Sequence, residues 1–208
     1  MPVVIMQPAP APVRPAATAP GTLRPGDTGA RVRALQLRLR ALHYDPGAAD
    51  GRFRSDTRTA VWAFQKVQRM RPDGVVDGPV WKALAHPRTP RALTRAHESA
   101  RVDIDLKRQL LVAYRKGRPV LISHISTGSP GRRTPAGDFH VTRRVNGWRH
   151  SHLGYMYKPL YFHSGYAMHG SLSVPRHPAS HGCVRIPMHT ADLLPRLVRN
   201  GAPVHVRG

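Results

Sequence analysis

The only cysteine in the 208 residues, Cys183, lies in Ser180-His181-Gly182-Cys183-Val184-Arg185. Upstream is Met168-His169-Gly170-Ser171, with ten residues between His169 and Ser180. A lone thiol beside one histidine and within folding reach of another is a candidate nucleophile with a candidate base. It excludes an intramolecular disulfide, and its other reading is a small apolar side chain packed in a core. No Asp or Glu occurs between Asp138 and Asp192, while Arg143, Arg144, Arg149, Lys158, Arg176 and Arg185 all fall in that interval. Such a setting favours thiolate over thiol, so a lowered Cys183 pKa and a thiolate–imidazolium pair are expected. It also leaves no carboxylate nearby in sequence to orient the histidine. The orienting acceptor then comes from distant chain or from a backbone carbonyl. Backbone N–H groups at Gly182 and Cys183 are candidate oxyanion donors, because glycine permits close approach and unusual φ.

The neighbouring residues carry two readings each. His181 either holds the loop, binds substrate, or serves as the base in place of His169. Ser180 either binds substrate or braces the loop. Arg185 suits a substrate carboxylate through its planar guanidinium, or is simply solvated. Tyr161 and Tyr166 either line a donor cleft or pack within strands. The thirteen histidines also raise zinc, with His177, His181 and Cys183 as ligands and His169 or His163 completing the set. Pro178 and Gly182 argue against the helix that would align an i, i+4 histidine pair, and the acid-free interval removes a general base for metal-bound water.

His169, ten intervening residues and then Ser-His-Gly-Cys-Val-Arg resemble the active-site signature of the L,D-transpeptidase family (the YkuD-like domain). The similarity extends to Ser126-Thr127-Gly128, to Thr134-Pro135-Ala136-Gly137-Asp138-Phe139 and to Tyr161 through Gly170, covering roughly residues 99 to 207. Many members carry Asn where this chain has Arg185. The resemblance implies a β-sandwich-like catalytic domain that joins peptidoglycan stem peptides through a cysteine acyl-enzyme, without metal or cofactor. It implies that Cys183 attacks the bond between a diamino acid and a terminal D-Ala, that His169 moves the proton, and that the Gly170 carbonyl orients His169. An L,D-carboxypeptidase, passing the acyl group to water, uses the same thiol.

The elements that must position these residues fall into two patterns. Residues 7 to 20 are almost entirely Pro and Ala, so 1–23 reads as a disordered leader. Val32, Leu35, Leu39 and Leu42 share one helical face over Arg31 to Leu42. Ser55 is the expected N-cap of a second helix bearing Ala60, Val61, Phe64 and Val67, and a third helix near Asp77 carries Val80, Trp81 and Leu84. Three short helices punctuated by Asp50-Gly51, Asp73-Gly74 and Asp77-Gly78 predict a compact all-α module over 24–86. Leu35-Gln36-Leu37-Arg38-Leu39, Asp50-Gly51-Arg52-Phe53 and Ala60 to Gln65 are similar to the peptidoglycan-binding domain, with Phe64 and Trp81 read as core. Residues 87–98 read as linker. In 99–208 the period changes to strands: Val102 to Leu106 alternating, Leu110 to Tyr114, Val120 to Ile125, Phe139 to Val145, Tyr166 to Met168 and Pro203 to Val206. One late helix is expected over Thr190 to Arg199, with Pro195 against it. The fold class is thus a three-helix module followed by a mainly β domain.

Composition bounds the function classes. The formal charge is +22, and all but five of the 33 basic residues are arginine. That favours polyanions: nucleic acid, anionic lipid or an anionic cell wall. The basic residues are spread along the whole chain with no zinc-finger, basic-zipper or aromatic RNA-binding signature, so nucleic acid is not the expected partner. No segment approaches the roughly 18 apolar residues needed to cross a bilayer, and Met1 to Met6 lacks the form of a secretory signal. The expected partners are peptidoglycan stem peptides and glycan, for a monomer acting outside the cytoplasm in the cell wall or periplasm. A non-catalytic wall-binding protein with a degenerate enzyme domain is the rival of a different class.

Overall fold

A computed structural model describes residues 21–94, 98, 100–151 and 153–208. Most of the expected leader and residues 95–97 of the expected linker lie outside the described residues. Its last residue does not behave as leader: Leu23 is buried and exchanges two backbone hydrogen bonds with Val76. An isolated leucine beside Pro and Gly carries no periodic signal, which is why sequence placed it outside the fold.

The helices are α1 (Ala30–Ala41), α2 (Ser55–Val67) and α3 (Gly78–Ala85). In α1, Val32, Leu35 and Leu39 are buried as the spacing predicts, and Gln36 joins them. Gln36 holds the Asp50-Gly51 turn: its amide nitrogen bonds Asp50 Oδ1 and the Arg52 carbonyl, and its Oε1 accepts from Gly51 N–H at 2.8 Å. Gln65 of α2 repeats the device on Asp73-Gly74, donating to Asp73 Oδ1 and accepting from Gly74 N–H at 2.9 Å. Each buried amide thus satisfies turn groups that would otherwise cost a desolvation penalty. Asp77 caps α3, accepting from Val80 N–H at 3.1 Å, with Pro79 in the first turn. Ser55 does not cap α2. Arg54 occupies the extended N-cap backbone, and Ser55 lies within the first turn.

Among the described residues, ten strands form two mixed sheets. The first contains β1 (Ala100–Asp105), β2 (Leu110–Arg115), β3 (Arg118–His124), β4 (Gly137–His140) and β10 (Pro203–Arg207), in the order β3-β2-β1-β10-β4 with β1 and β10 parallel. The second contains β5 (Arg143–Arg144), β6 (Trp148–Ser151), β7 (Gly154–His163), β8 (Tyr166–Gly170) and β9 (Val184–Ile186), in the order β5-β7-β8-β9 with β6 also on β7. The single strand expected over Phe139 to Val145 is broken. The chain leaves the first sheet at buried Val141, whose N–H donates to Ala202, and joins the second at Thr142, whose N–H donates to Tyr161. Between the sheets lie Ile104, Leu111, Leu160, Phe162, Met168, Val184 and Ile186, with Ala191 and Leu194 of α4 (Met188–Leu197). Pro195 sits inside α4, near its end. No helix is long and apolar enough to cross a membrane among the described residues.

The helical module does not close its own core. Leu110, Val112 and Tyr114 of β2, with Ile122 of β3, pack into the helical cluster, while Leu111, Ala113 and Leu121 face the other sheet. Burial on both faces explains the unbroken apolar run of β2. Burying each aliphatic side chain in that junction contributes about 1.5–3 kcal/mol. The expected alternation in β1 fails for a related reason: Arg101 and Asp103 are also buried, paired at 3.1 Å, with Leu93 N–H donating to Asp103.

Polar contacts fix the docking. Ile122 N–H donates to the His43 carbonyl at 2.8 Å, and Thr190 Oγ1 donates to Asp45. His189 of α4 donates from Nε2 to the Asp45 carbonyl at 2.8 Å, with its Nδ1 3.3 Å from Asp56. Burial disfavours charge on His189, but the Asp56 carboxylate against the ring and Asp45 overcome it, raising the pKa above the ordinary 6.5. A raised histidine stabilises the fold fully below its unfolded pKa and loses that contribution as pH rises through the folded value. His189→Asn should therefore lower the thermal midpoint by about 2–4 °C near pH 5.5, and by less near pH 8.5. Melting curves at the two pH values check this.

Candidate active site

The parallel pairing of β8 with β9 sets Met168 beside Val184 and His169 beside Arg185. Side chains alternate faces along a strand. Met168, Val184 and Ile186 therefore point into the core, and His169, Arg185 and Cys183 share the opposite face. Tyr161 pairs with Ala167 on the neighbouring strand and joins that face. All four line one cavity of about 540 Å³, together with Ser180 and His181.

His169 is buried, and its Nδ1 lies 3.0 Å from the Gly170 carbonyl. A carbonyl only accepts, so Nδ1 carries the proton and, in the neutral ring, Nε2 is left with its lone pair. Gly170 itself is packed tightly: a Cβ there would lie 2.9 Å from the Ala191 Cβ and 3.0 Å from Tyr157. Cys183 is partly buried, its sulfur 3.8 Å from the Gly165 carbonyl. Gly182 has φ 119°, and a Cβ there would stand 2.6 Å from the Tyr166 ring. Both backbone conformation and space exclude a side chain.

Burial pushes the Cys183 thiol above its usual value, with the Ala167 N–H and Arg185 opposing. Burial likewise lowers His169; the Gly170 carbonyl opposes, and Arg185 adds to the lowering. The expected lowering of the thiol is therefore corrected: desolvation outweighs the cations near Cys183 in sequence, and burial favours the uncharged form of both groups.

The loop residues divide. Ser180 is buried; its hydroxyl donates to the Cys183 carbonyl and accepts from Gly182 N–H at 3.0 Å. It braces the turn while also lining the cavity. Thr134 Oγ1 donates to the Gly182 carbonyl at 2.7 Å. With Gly182 N–H engaged by Ser180, it is not a free oxyanion donor, whereas Cys183 N–H makes no bond among the described residues. His181 is exposed at the cavity rim. Tyr161 is buried beneath the Arg143 guanidinium, 4.2 Å from its ring centroid. His177 is used through its carbonyl, which accepts from Ser126. Among the described residues, no three His, Cys, Asp or Glu side chains converge where a metal could be held.

The other wall went unread in the sequence. Arg149, His150, Ser151, Leu153, Gly154, Tyr155 and Met156 of the β6–β7 hairpin line the cavity opposite the thiol. A signal existed in the aromatic residues at 148, 155 and 157 flanking Gly154, whose φ is 116°. Among the described residues, no Asp or Glu lines the cavity, whereas Arg149 and Arg185 do.

The sequence pattern of the L,D-transpeptidase catalytic domain matches residues 99–206, and that of a peptidoglycan binding domain matches residues 28–84. No curated protein matches the chain. The crystal structure of an L,D-transpeptidase from Xylanimonas cellulosilytica is similar over 92% of this chain and 100% of that one, at 38% identity and a TM-score of 0.84. An L,D-transpeptidase from Stackebrandtia nassauensis shares the fold, at 22% identity and a TM-score of 0.57, over 92% of this chain and 98% of that one. With its cysteine and histidine strands placed inside the matched region, the chain belongs to the L,D-transpeptidase catalytic domain family and carries a peptidoglycan binding domain at its N-terminal side.

Proposed function

We propose that the protein is a peptidoglycan L,D-transpeptidase acting by cysteine acyl transfer, with Cys183 as nucleophile and His169 as base. The observation that carries this reading is their shared face and cavity, with Nδ1 of His169 already committed to Gly170. As the sulfur attacks the carbonyl between a diamino acid and terminal D-Ala, Nε2 takes the thiol proton. It returns that proton to the D-Ala amine as the carbon–nitrogen bond breaks, leaving a thioester. A side-chain amine of a neighbouring stem then attacks the thioester. His169 takes its proton, an amide forms, and the thiol is restored. Cys183 N–H is the oxyanion donor of this reading, and Arg185 or Arg149 receives a substrate carboxylate. Starting from neutral thiol and imidazole, proton transfer accompanies attack rather than preceding it.

The same reading places the protein in the cell wall or periplasm as a monomer. It divides the chain into a wall-anchoring module ending near residue 86, a linker over 87–98 and a catalytic domain over 99–208. Water as the acceptor would make it an L,D-carboxypeptidase, distinguished by free tripeptide instead of crosslinked dimer among the products.

Incubation with a donor tetrapeptide should add the mass of the acyl group to the intact protein with loss of D-Ala, and Cys183→Ala should abolish it. His169→Gln should slow acylation by about 10²–10⁴-fold. A persistent adduct in Cys183→Ala would refute the nucleophile. Iodoacetamide labelling of the free enzyme should rise with pH through a midpoint above 9.0. Arg185→Ala should move that midpoint further up, because the guanidinium favours thiolate. A labelling plateau already present near pH 6 would instead indicate a resting thiolate–imidazolium pair.

A further inference from the structure

Lys66, in the last turn of α2, sends its ammonium out of the helical module into the β domain. Its Nζ lies 2.7 Å from His124 Nδ1 and donates to the Gln109 carbonyl at 3.0 Å. His124 is buried at the end of β3, its ring 5.2 Å edge-on from Trp62 of α2. Since Lys66 donates to Nδ1, the neutral ring carries its proton on Nε2, which faces the carbonyls of Val174 and Pro175 at 3.2 and 3.1 Å. Those carbonyls belong to the crossover that leaves the His169 strand and returns at Cys183.

The neighbouring contacts converge on the same loop. Arg176 donates to the Pro72 carbonyl of the module at 2.7 Å and lies over the Trp62 ring. Gln109 clamps Thr127, donating to its hydroxyl and accepting from its N–H; the Thr127 carbonyl accepts from Ala179 and Ser180 N–H. Ser180 in turn holds the Cys183 carbonyl. A continuous run of bonds therefore connects α2 to the residue bearing the thiol. Burial, with Arg176 adding to it and Asp105 opposing, brings Lys66 down to about 7. Burial and then the Lys66 charge bring His124 down to about 3, so the imidazole stays neutral as the relay requires.

We propose that Lys66 of the helical module is a positioning residue for acyl transfer, holding through His124 the loop that joins the His169 strand to Cys183. This rests on the acyl-enzyme reading of Cys183. The module then does more than tether the enzyme to its polymer, because one of its side chains is required for the nucleophile to sit correctly. Losing the Lys66 donor frees His124 to exchange tautomers, and the Nε2–H tie to the loop is no longer enforced.

A double-mutant cycle on the full chain tests it, reading thioester formation with donor tetrapeptide by rapid-quench mass spectrometry. Lys66→Met should lower the maximal acylation rate by about 10–100-fold with half-saturation changed less than about twofold, as expected for a displaced reacting group. In a His124→Leu background, Lys66→Met should add less than about twofold, since both act on one tie. His124→Gln, whose amide nitrogen can replace Nε2–H, should recover most of the rate that His124→Leu loses. In ¹⁵N spectra, His124 should be the Nε2–H tautomer in the wild type and a mixture in Lys66→Met. A folded Lys66→Met acylating at the wild-type rate, or losses that multiply across the cycle, would overturn the proposal. Should Lys66→Met fail to fold, wild-type acylation by His124→Leu overturns it equally. Absence of a thioester in the wild type refutes the acyl-enzyme reading and this proposal with it, whereas a wild-type thioester undiminished in the variants refutes this proposal alone.

Discussion

The parallel ladder between β8 and β9 assigns the residues of the two strands to sides: Met168, Val184 and Ile186 to the core, His169 and Arg185 to the cavity, which Cys183, just before β9, also lines. The period of two makes this strict, since a one-residue slip would turn the imidazole into the apolar core and the methionine into the cavity. The apolar face therefore enforces the chemistry of the polar one. A parallel pair cannot be joined by a tight hairpin, so the chain must travel out and return between Ser171 and Cys183. That detour is irregular and needs bracing from outside, which Ser126, Thr127, Thr134 and His124 supply through backbone-directed bonds. The site is a rigid pair of strands joined by a loop whose geometry other elements determine.

Electrostatics follow from that placement. Among the described residues the cavity is lined by cations and no carboxylate, yet burial raises the thiol and lowers the imidazole. Desolvation acts on both groups directly, whereas Arg185 helps the thiolate but opposes the imidazolium. Its net effect on an ion pair is therefore divided. A carbonyl as the orienting partner of His169 fits the same setting. It fixes the tautomer without placing a negative charge that would oppose a forming thiolate.

Helical periods, apolar strand runs and Asp-Gly turns made the fold class legible, because those patterns depend on neighbours three, four or two residues away. What escaped depends on distant chain. Leu23 reads as leader in sequence because only its pairing with Val76 reveals it. Ser55 has the right chemistry for a cap, but Arg54 takes the extended backbone position that defines one. The cavity wall from Arg149 to Met156 alternates weakly, so only its pairing into a hairpin exposes its role. The motif around Cys183 was readable as a set of residues and a spacing. The commitment of Ser180 and Gly182 N–H to each other was not, since it depends on a turn with φ 119° at Gly182. The direction of the thiol's pKa is illegible for the same reason: sequence displays charges but not burial.

The junction between the two parts illustrates how packing and function become coupled. β2 presents Leu110, Val112 and Tyr114 to the helices and Leu111 and Ala113 to the other sheet, so one strand is shared by both cores. Removing the helices would expose that face and remove the Lys66 donor that holds His124 and the Pro72 carbonyl that accepts from Arg176. Apolar burial supplies most of the attraction but little direction, because it scales with area rather than with angle. The buried polar bonds add direction: an ammonium at 2.7 Å from one ring nitrogen dictates what the other nitrogen does. In this arrangement the area fixes that the module docks, and the hydrogen bonds fix where the catalytic loop rests once it has.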